Sequence, residues 1–540
     1  MSAKIKYLLF LILPSLLFLS AHILKVIQGP YYLNFYDPGY VYLINALNLA
    51  QLSGYGVGHF DHPGTTVQTI AAFALKLYHF TGSGNTDIVR DVLSRPEEYL
   101  FFLNKVFVTL SCIALYFLGL FTYRITGNIL ISLLVQLSPF ASTEIFYGLI
   151  IVTPDNFLVF ISLIFIASLI YYLFALINEE KIPVKLILIW GIICGAGIVT
   201  KLNFLPVAII PFLMIKGIKG KSVFTITLLI TFTILFLPAL SNTENFLNWI
   251  EKLFIHSGRY GNGEANIINE STYFSNIRLI FLKDKLYFLT YLICAFTLII
   301  SFVKKINFSE VMESIDFKRR RKLLFVIFIS MNFQILLVAK HYNQYYMIPS
   351  FMLCAFVMIL SSFILVEYFK YFSIRQNLNY LLIPLIVIFI LFSSYKIIYS
   401  YYEGEGQRLE AEKIVNFIEE NYQKDFVISG FGSADPECAL AFGVMYAGSQ
   451  SKVYNKILYD KLNSHIFYNP WINQLYSISD EAEIRDGISR SKKIILQIGS
   501  YGSAEQFANL LSSVYSKRII SYKEVFKNKN GETVYEFKSE

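Results

Sequence analysis

Two stretches gather acidic, imidazole and aromatic side chains: Tyr36-Asp37-Pro38-Gly39-Tyr40 and Gly58-His59-Phe60-Asp61-His62-Pro63-Gly64. A carboxylate such as Asp37 can take a proton from a hydroxyl, which is general-base chemistry. Its aromatic neighbours Tyr31, Tyr32, Phe35, Tyr36 and Tyr40 suit a sugar ring. Asp-Pro is also a common turn former, and aromatics of this kind form belts at membrane surfaces. His59, Asp61 and His62 are of types that ligate metals. No third or fourth ligand stands nearby, so the preferred roles are ordering the loop or touching substrate. A divalent metal is compatible with them, and no other cofactor is indicated.

Further polar residues interrupt apolar sequence. Asp155 lies in Thr153-Pro154-Asp155-Asn156, where it reads either as a helix-start residue with a favourable dipole or as a substrate contact. Lys201, in Thr200-Lys201-Leu202-Asn203, stands between two short apolar runs, where it can snorkel or face an anion. Arg259 belongs to the polar loop Ser241 to Lys285, with His256 and Tyr260-Gly261-Asn262-Gly263. Lys340-His341 and Tyr345-Tyr346 sit near a helix end, as interfacial anchors or substrate contacts. Gly430-Phe431-Gly432-Ser433 lacks the third glycine of the dinucleotide fingerprint and reads as a turn. The five cysteines form no CxxC or metal spacing, and four of them sit in apolar runs.

These residues must be positioned by a membrane body. The chain has 540 residues, 55% hydrophobic and 16% charged, with mean hydropathy +0.53. Soluble domains average roughly 45–50% apolar and 25% charged. Apolar runs near the length needed to cross a bilayer recur. The first covers Ile5 to Ile27 and reads as a retained span, because no small-residue cleavage site follows it. Others fall near residues 100–123, 129–142, 157–177, 186–200, 204–215, 223–240, 286–303, 323–339, 346–369 and 380–399, giving about eleven. Between them, Tyr40 to Leu52 and Val67 to Phe80 are too short to cross comfortably and read as interfacial helices in a long first loop, residues 29–98. No internal repeat is visible.

Charge sets the orientation. Loops on the side of Met1 hold Arg124, Lys181, Lys185, Lys216, Lys219, Lys221, Lys304, Lys305, Lys318 to Lys322, Lys370 and Arg375. The intervening short loops carry few Lys or Arg, so the amino terminus is expected inside and the carboxyl terminus outside. The net charge of +8 is therefore membrane topology, and nucleic acid is not a partner. Asp37, Asp155, Lys201, Arg259 and His341 all fall on the external side. From Glu403 to Glu540 the composition is that of a soluble domain. Helices are expected over 407–422 and 503–515, strands over 425–430 and 493–498, and a hairpin over 522–537 turning at Asn530-Gly531, which makes a small α/β unit.

In this order and on this side, the motifs resemble the GT-C superfamily of membrane glycosyltransferases, in its protein O-mannosyltransferase and aminoarabinose-transferase branch. The resemblance covers Met1 to Tyr402. It rests on Asp37 after the first span, His62-Pro63-Gly64-Thr65 leading into an interfacial helix, and Thr153-Pro154-Asp155. Thr200-Lys201 and Lys340-His341-Tyr342 with Tyr345-Tyr346 complete it. The His-Pro motif is an imperfect match. The resemblance implies inverting transfer of a sugar from a polyprenyl-phosphate donor to a hydroxyl of a glycan, lipid or protein at the external face of a cell (inner) membrane. Asp37 would be the catalytic base. Lys201, Arg259 and His341, in that order, would stabilise the phosphate leaving group, and His59, Asp61, His62, Asp155 and Tyr345 would contact substrate. Two other classes compete: a secondary transporter, and a non-catalytic component of surface-glycan assembly.

Overall fold

The computed structural model describes residues 3–34, 36–82, 87–176, 181–258, 261, 263–302, 315–370, 378–479 and 481–539. Among them, seven helices are long and apolar enough to cross a membrane, and the bent pair Gln344–Met352 and Cys354–Tyr368 makes an eighth. The chain is a multi-pass membrane protein with a small sheet domain at its carboxyl end. Three of the expected spans fall below the roughly 20 residues usual for a crossing helix. Ile129–Gln136 has 8 residues and gives way to a tight turn at Ser138–Phe140, where Pro139 cannot continue the amide ladder. Val184–Thr200 has 17 and Leu205–Met214 has 10.

By their mutual contacts, residues fall into two compact units. The first comprises Met1–His22, Phe60–Val67 and Val106–Ile398; the second comprises Ile23–His59, Gln68–Lys105 and Tyr399–Glu540.

In the first unit, helix Val184–Thr200 packs tightly on Ile218–Phe236. Gly191 and Gly195 make this possible: a Cβ on Gly191 would meet Thr227 Cβ at 2.7 Å, and one on Gly195 would meet the Leu228 carbonyl at 2.6 Å. Small residues four apart let membrane helices approach in this way. Just beyond, the chain folds back so that the Phe204 ring covers Gly197, within 2.2 Å of where a Cβ would stand. That fold-back fixes the turn carrying Lys201.

The second unit is built on a six-stranded sheet: β1 (Phe426–Gly430), β2 (Ile466–Asn469), β3 (Gln474–Ser477), β4 (Lys493–Ile498), β5 (Ile519–Lys527) and β6 (Thr533–Ser539). Its order is β3-β2-β1-β4-β6-β5, with β2, β1 and β4 parallel and the other pairs antiparallel. Successive residues of β4 face opposite sides, as strand geometry requires. Ile494, Leu496 and Ile498 join Phe507, Leu511 and Phe537 in one core, while Ile495 joins Val534, Ile414 and Leu33 in another. The expected helix over 407–422 is the end of one 43-residue helix, Asn379–Asn421.

Leu33 shows that the first loop is part of this unit. Helix Tyr36–Ala50 carries Asn45 and Asn48, both buried. Asn45 Nδ2 donates to the Tyr446 carbonyl at 3.1 Å, and its Oδ1 accepts from the Gly58 and His59 amides at 2.7 and 3.1 Å. Asn48 Nδ2 donates to the Ala447 carbonyl at 2.9 Å, and its Oδ1 accepts from the Tyr454 hydroxyl at 2.7 Å. Asn48 thus ties loop to tail with both its donor and its acceptor, whereas Asn45 reaches the tail with its donor and closes the loop with its acceptor.

Candidate functional site

Lys201 follows directly on helix Val184–Thr200 and is only 3% exposed. A buried ammonium needs a partner. Its Nζ donates to Asp155 Oδ2 at 2.6 Å, and Asp155 stands in the first turn of helix Pro154–Ile170. The Nζ also lies 4.6 Å from the Tyr345 ring centre and 4.7 Å from that of Tyr346, at cation–π range. Lys201 is therefore part of a pair, where the sequence alone showed an isolated cation. Asp155 is the other half of that pair, and the side chain of Thr153 makes no capping hydrogen bond.

The His62-Pro63-Gly64 segment is strapped along the same turn. The Leu202 amide donates to the His62 carbonyl and the Gly64 amide to the Val199 carbonyl, both at 3.1 Å, and Pro63 bridges Lys201. His62 has φ of +84°, a backbone conformation that non-glycine residues avoid. Its imidazole meets the Trp249 ring edge-on at 5.3 Å and the Tyr346 ring at 5.9 Å. Tyr346 is fixed through its carbonyl, which accepts from Asn203 Nδ2 at 3.0 Å and Gln334 Nε2 at 2.8 Å. The row Asp155, Lys201, Tyr346, His62, Trp249 is thus continuous. Along it, Asp155 Oδ1, Thr153 Oγ1, Asn203 Oδ1 and Trp249 Nε1 are buried and find no hydrogen-bond partner among the described residues. Buried polar atoms are ordinarily bonded, so unpaired atoms at a buried ion pair and along the adjoining row of rings suit a polar ligand.

The other expected phosphate ligands are placed differently. Lys340 Nζ donates to the Phe254 carbonyl at 2.5 Å, and His341 Nε2 lies 2.9 Å from that of Leu253. Both close the carboxyl end of helix Thr243–Ile255, which carries Trp249. Burial lowers the His341 pKa below the usual histidine value. Arg259 lies outside the described residues. Asp61 is half-buried. Near the site, Asp284 accepts from Lys396 Nζ and Gln344 Nε2, both at 2.6 Å, and Gln344 Oε1 accepts from the Tyr342 hydroxyl at 2.7 Å. Burial, then the Asp284 charge, pushes the Glu144 carboxyl up to about 7.

In the second unit, Asp37 stands at a kink at the start of helix Tyr36–Ala50, with extended backbone (φ −95°, ψ 115°), and its side chain is exposed. Several of the aromatics expected around it do other work. Tyr31 and Tyr40 are buried. The Tyr40 hydroxyl donates to Glu97 Oε1 at 2.8 Å, and the Tyr31 and Tyr32 amides donate to the Glu97 carboxylate at 2.8 and 3.1 Å. Phe35 lies outside the described residues. Glu97 thus fastens the loop, while Asp37 faces outward. The His59 ring packs edge-on between Tyr42 and Tyr446, at 5.5 and 5.7 Å. Among the described residues, no group of three His, Cys, Asp or Glu is placed to hold a metal.

Sequence reasoning gave no role to Trp249, Asn203 or Glu97. Trp249 carried a readable signal, since Phe246 and Trp249 are spaced to share one face of a short helix. Nothing local distinguished Glu97 from its neighbour Glu98.

No family model and no curated protein matches the sequence. Solved structures do. The structure of ArnT from Cupriavidus metallidurans bound to undecaprenyl phosphate superposes with a TM-score of 0.51 at 8% identity, covering 99% of this chain and 98% of that one. The same protein in the apo state gives 0.50 at 9% identity, over the same shares. Both chains are matched nearly end to end, tail included, so this chain has the fold of ArnT.

Proposed function

We propose that this chain is a membrane glycosyltransferase that moves a sugar from a polyprenyl-phosphate donor to an acceptor hydroxyl at the external face of the membrane. The observation that carries the reading is the buried Lys201–Asp155 pair, set in a multi-pass body among unpaired polar atoms and tyrosine rings. Such a place suits an anionic head with a sugar attached, whose prenyl chain would lie among the apolar helices. The fold supports it too, since the ArnT structure with this fold holds undecaprenyl phosphate.

The roles divide by chemistry. Lys201 meets the charge that grows on the phosphate as the glycosidic bond breaks, which is electrostatic stabilisation of a leaving group. Asp155 holds the ammonium in place. Asp37 takes the proton of the acceptor hydroxyl, and the hydroxyl oxygen attacks the anomeric carbon with inversion. Tyr345 and His62 line the donor site. His341 acts at one remove, by fixing helix Thr243–Ile255. Residues 1–402 are the membrane catalytic domain and 403–540 an external soluble domain, with the amino terminus inside.

The test is a panel of labelled polyprenyl-phosphate sugars offered to membranes that contain the chain. Label should leave the lipid only when the chain is present. Uptake of label into sealed vesicles, with the lipid-linked pool intact, would make the chain a transporter instead.

A further inference from the structure

We propose that Trp249 is a donor-binding residue whose indole N–H hydrogen-bonds a phosphate oxygen of the polyprenyl-phosphate sugar. The proposal rests on the reading above and adds a residue that its motifs do not contain.

Helix Thr243–Ile255 carries apolar residues on more than one side. Leu247, Phe254 and Ile255 are exposed, whereas Phe246 and Trp249 are buried. A tryptophan at a membrane surface usually turns its N–H toward water and headgroups. Trp249 does the reverse. Its side chain is 9% exposed, stacks on Phe246 at 6.2 Å and meets the His62 ring edge-on at 5.3 Å. Its Nε1 is enclosed by protein and has no acceptor among the described residues. By contrast, Trp190 is fully buried and its Nε1 donates to Ser168 Oγ at 2.9 Å. The fold therefore satisfies a buried indole where the role is only packing.

An indole N–H can only donate, so its missing partner must be an acceptor. The unpaired Oδ1 atoms of Asp155 and Asn203 can only accept, so they call for hydroxyl hydrogens. A glycosyl phosphate offers acceptor oxygens at one place and hydroxyls at another. Lys201 draws the charge, and Trp249 supplies a neutral, directional hydrogen bond to the same phosphate. Lys340 and His341 hold the helix that presents the indole, through the Phe254 and Leu253 carbonyls.

The test measures binding of undecaprenyl phosphate, which carries no sugar, to the detergent-solubilised full chain. Trp249→Phe keeps an aromatic ring on Phe246 and removes the N–H. A hydrogen bond to a charged group is lost, so affinity should fall on the order of 10-fold or more. Equal affinity in the variant and the wild type overturns the proposal and leaves the glycosyltransferase reading standing. Weakening seen only with the sugar-loaded donor also overturns it, because the indole would then touch sugar. Failure of the wild type to bind undecaprenyl phosphate removes the reading and the proposal together. A wild-type measurement covers a variant that does not fold. With 15N-labelled indoles, adding undecaprenyl phosphate should shift one resonance, and it should not be one that disappears in Trp190→Phe or Trp471→Phe. A Trp249 resonance that stays put contradicts the proposal.

Discussion

The span Pro154–Ala175 has a cation at each end, and the two are used differently. At its carboxyl end Arg319 donates to the Leu176 and Leu173 carbonyls and pairs with Asp316 at 2.7 Å. The residues that follow behave alike. Arg321 donates to the Ser301 carbonyl at 3.1 Å, Lys322 to that of Met214 at 3.3 Å, and Arg320 pairs with Glu367. Three helix ends are closed by one basic run, which answers their unsatisfied carbonyls and their dipoles. At the amino end Lys201 meets a carboxylate and two ring faces, amid buried atoms that lack partners. The loudest charge in the sequence is thus spent on architecture, and a single lysine in a short turn stands at the polar site.

The largest effect should come from unpairing Lys201. Lys201→Ala leaves the Asp155 carboxylate buried alone, which costs on the order of 3–5 kcal/mol. The variant should lose donor binding and melt lower, and Lys201→Arg should keep part of the binding. Replacing both partners with apolar residues, Lys201→Met with Asp155→Leu, should recover most of the melting temperature, because a buried ion pair contributes little net stability. Donor binding should stay lost. A double variant that regains binding would make the pair architecture, like the basic run.

A smaller effect is expected at the other end. Arg319→Met removes the donor to the Leu173 and Leu176 carbonyls, at about 1–3 kcal/mol. Thermal stability should fall while donor bound per folded molecule stays within about 2-fold, the scale of error on such contributions. A selective loss of binding would erase the contrast between the ends.

The smallest effect concerns pH. Burial raises the Glu144 carboxyl to about 7 in the folded chain, above its ordinary value near 4.5. Between those values the folded state holds the proton more tightly than the unfolded one. The melting temperature should therefore decline as pH rises from about 4.5 to about 7, then level off. Glu144→Gln should flatten that slope, and an unchanged slope would assign it to another group.

Much of this was legible in the sequence, for identifiable reasons. Helices such as Pro96–Thr126 announce themselves by a long, mainly apolar run, and β4 matches its expected residues 493–498. The short helix Ile129–Gln136 was overextended, because apolar composition continues through Ser138-Pro139. Pairing across the chain was not legible. Nothing near Lys201 points to Asp155, 46 residues away, and nothing near Tyr40 points to Glu97. Nothing near Asn45 or Asn48 points to their tail partners Tyr446 and Ala447, some 400 residues on.

The central claim is that the chain transfers sugar from a lipid phosphate with Asp37 as the base. The direct measurement is transfer from labelled polyprenyl-phosphate sugar by the wild type and by Asp37→Asn, at equal protein levels. Amide and carboxylate have nearly the same shape, and Asp37 is exposed, so packing should survive. Loss of a general base typically costs on the order of 10²–10⁴-fold in rate. The account predicts a drop in that range with donor binding intact. Transfer within a few-fold of wild type would contradict it and leave Asp37 as a turn residue.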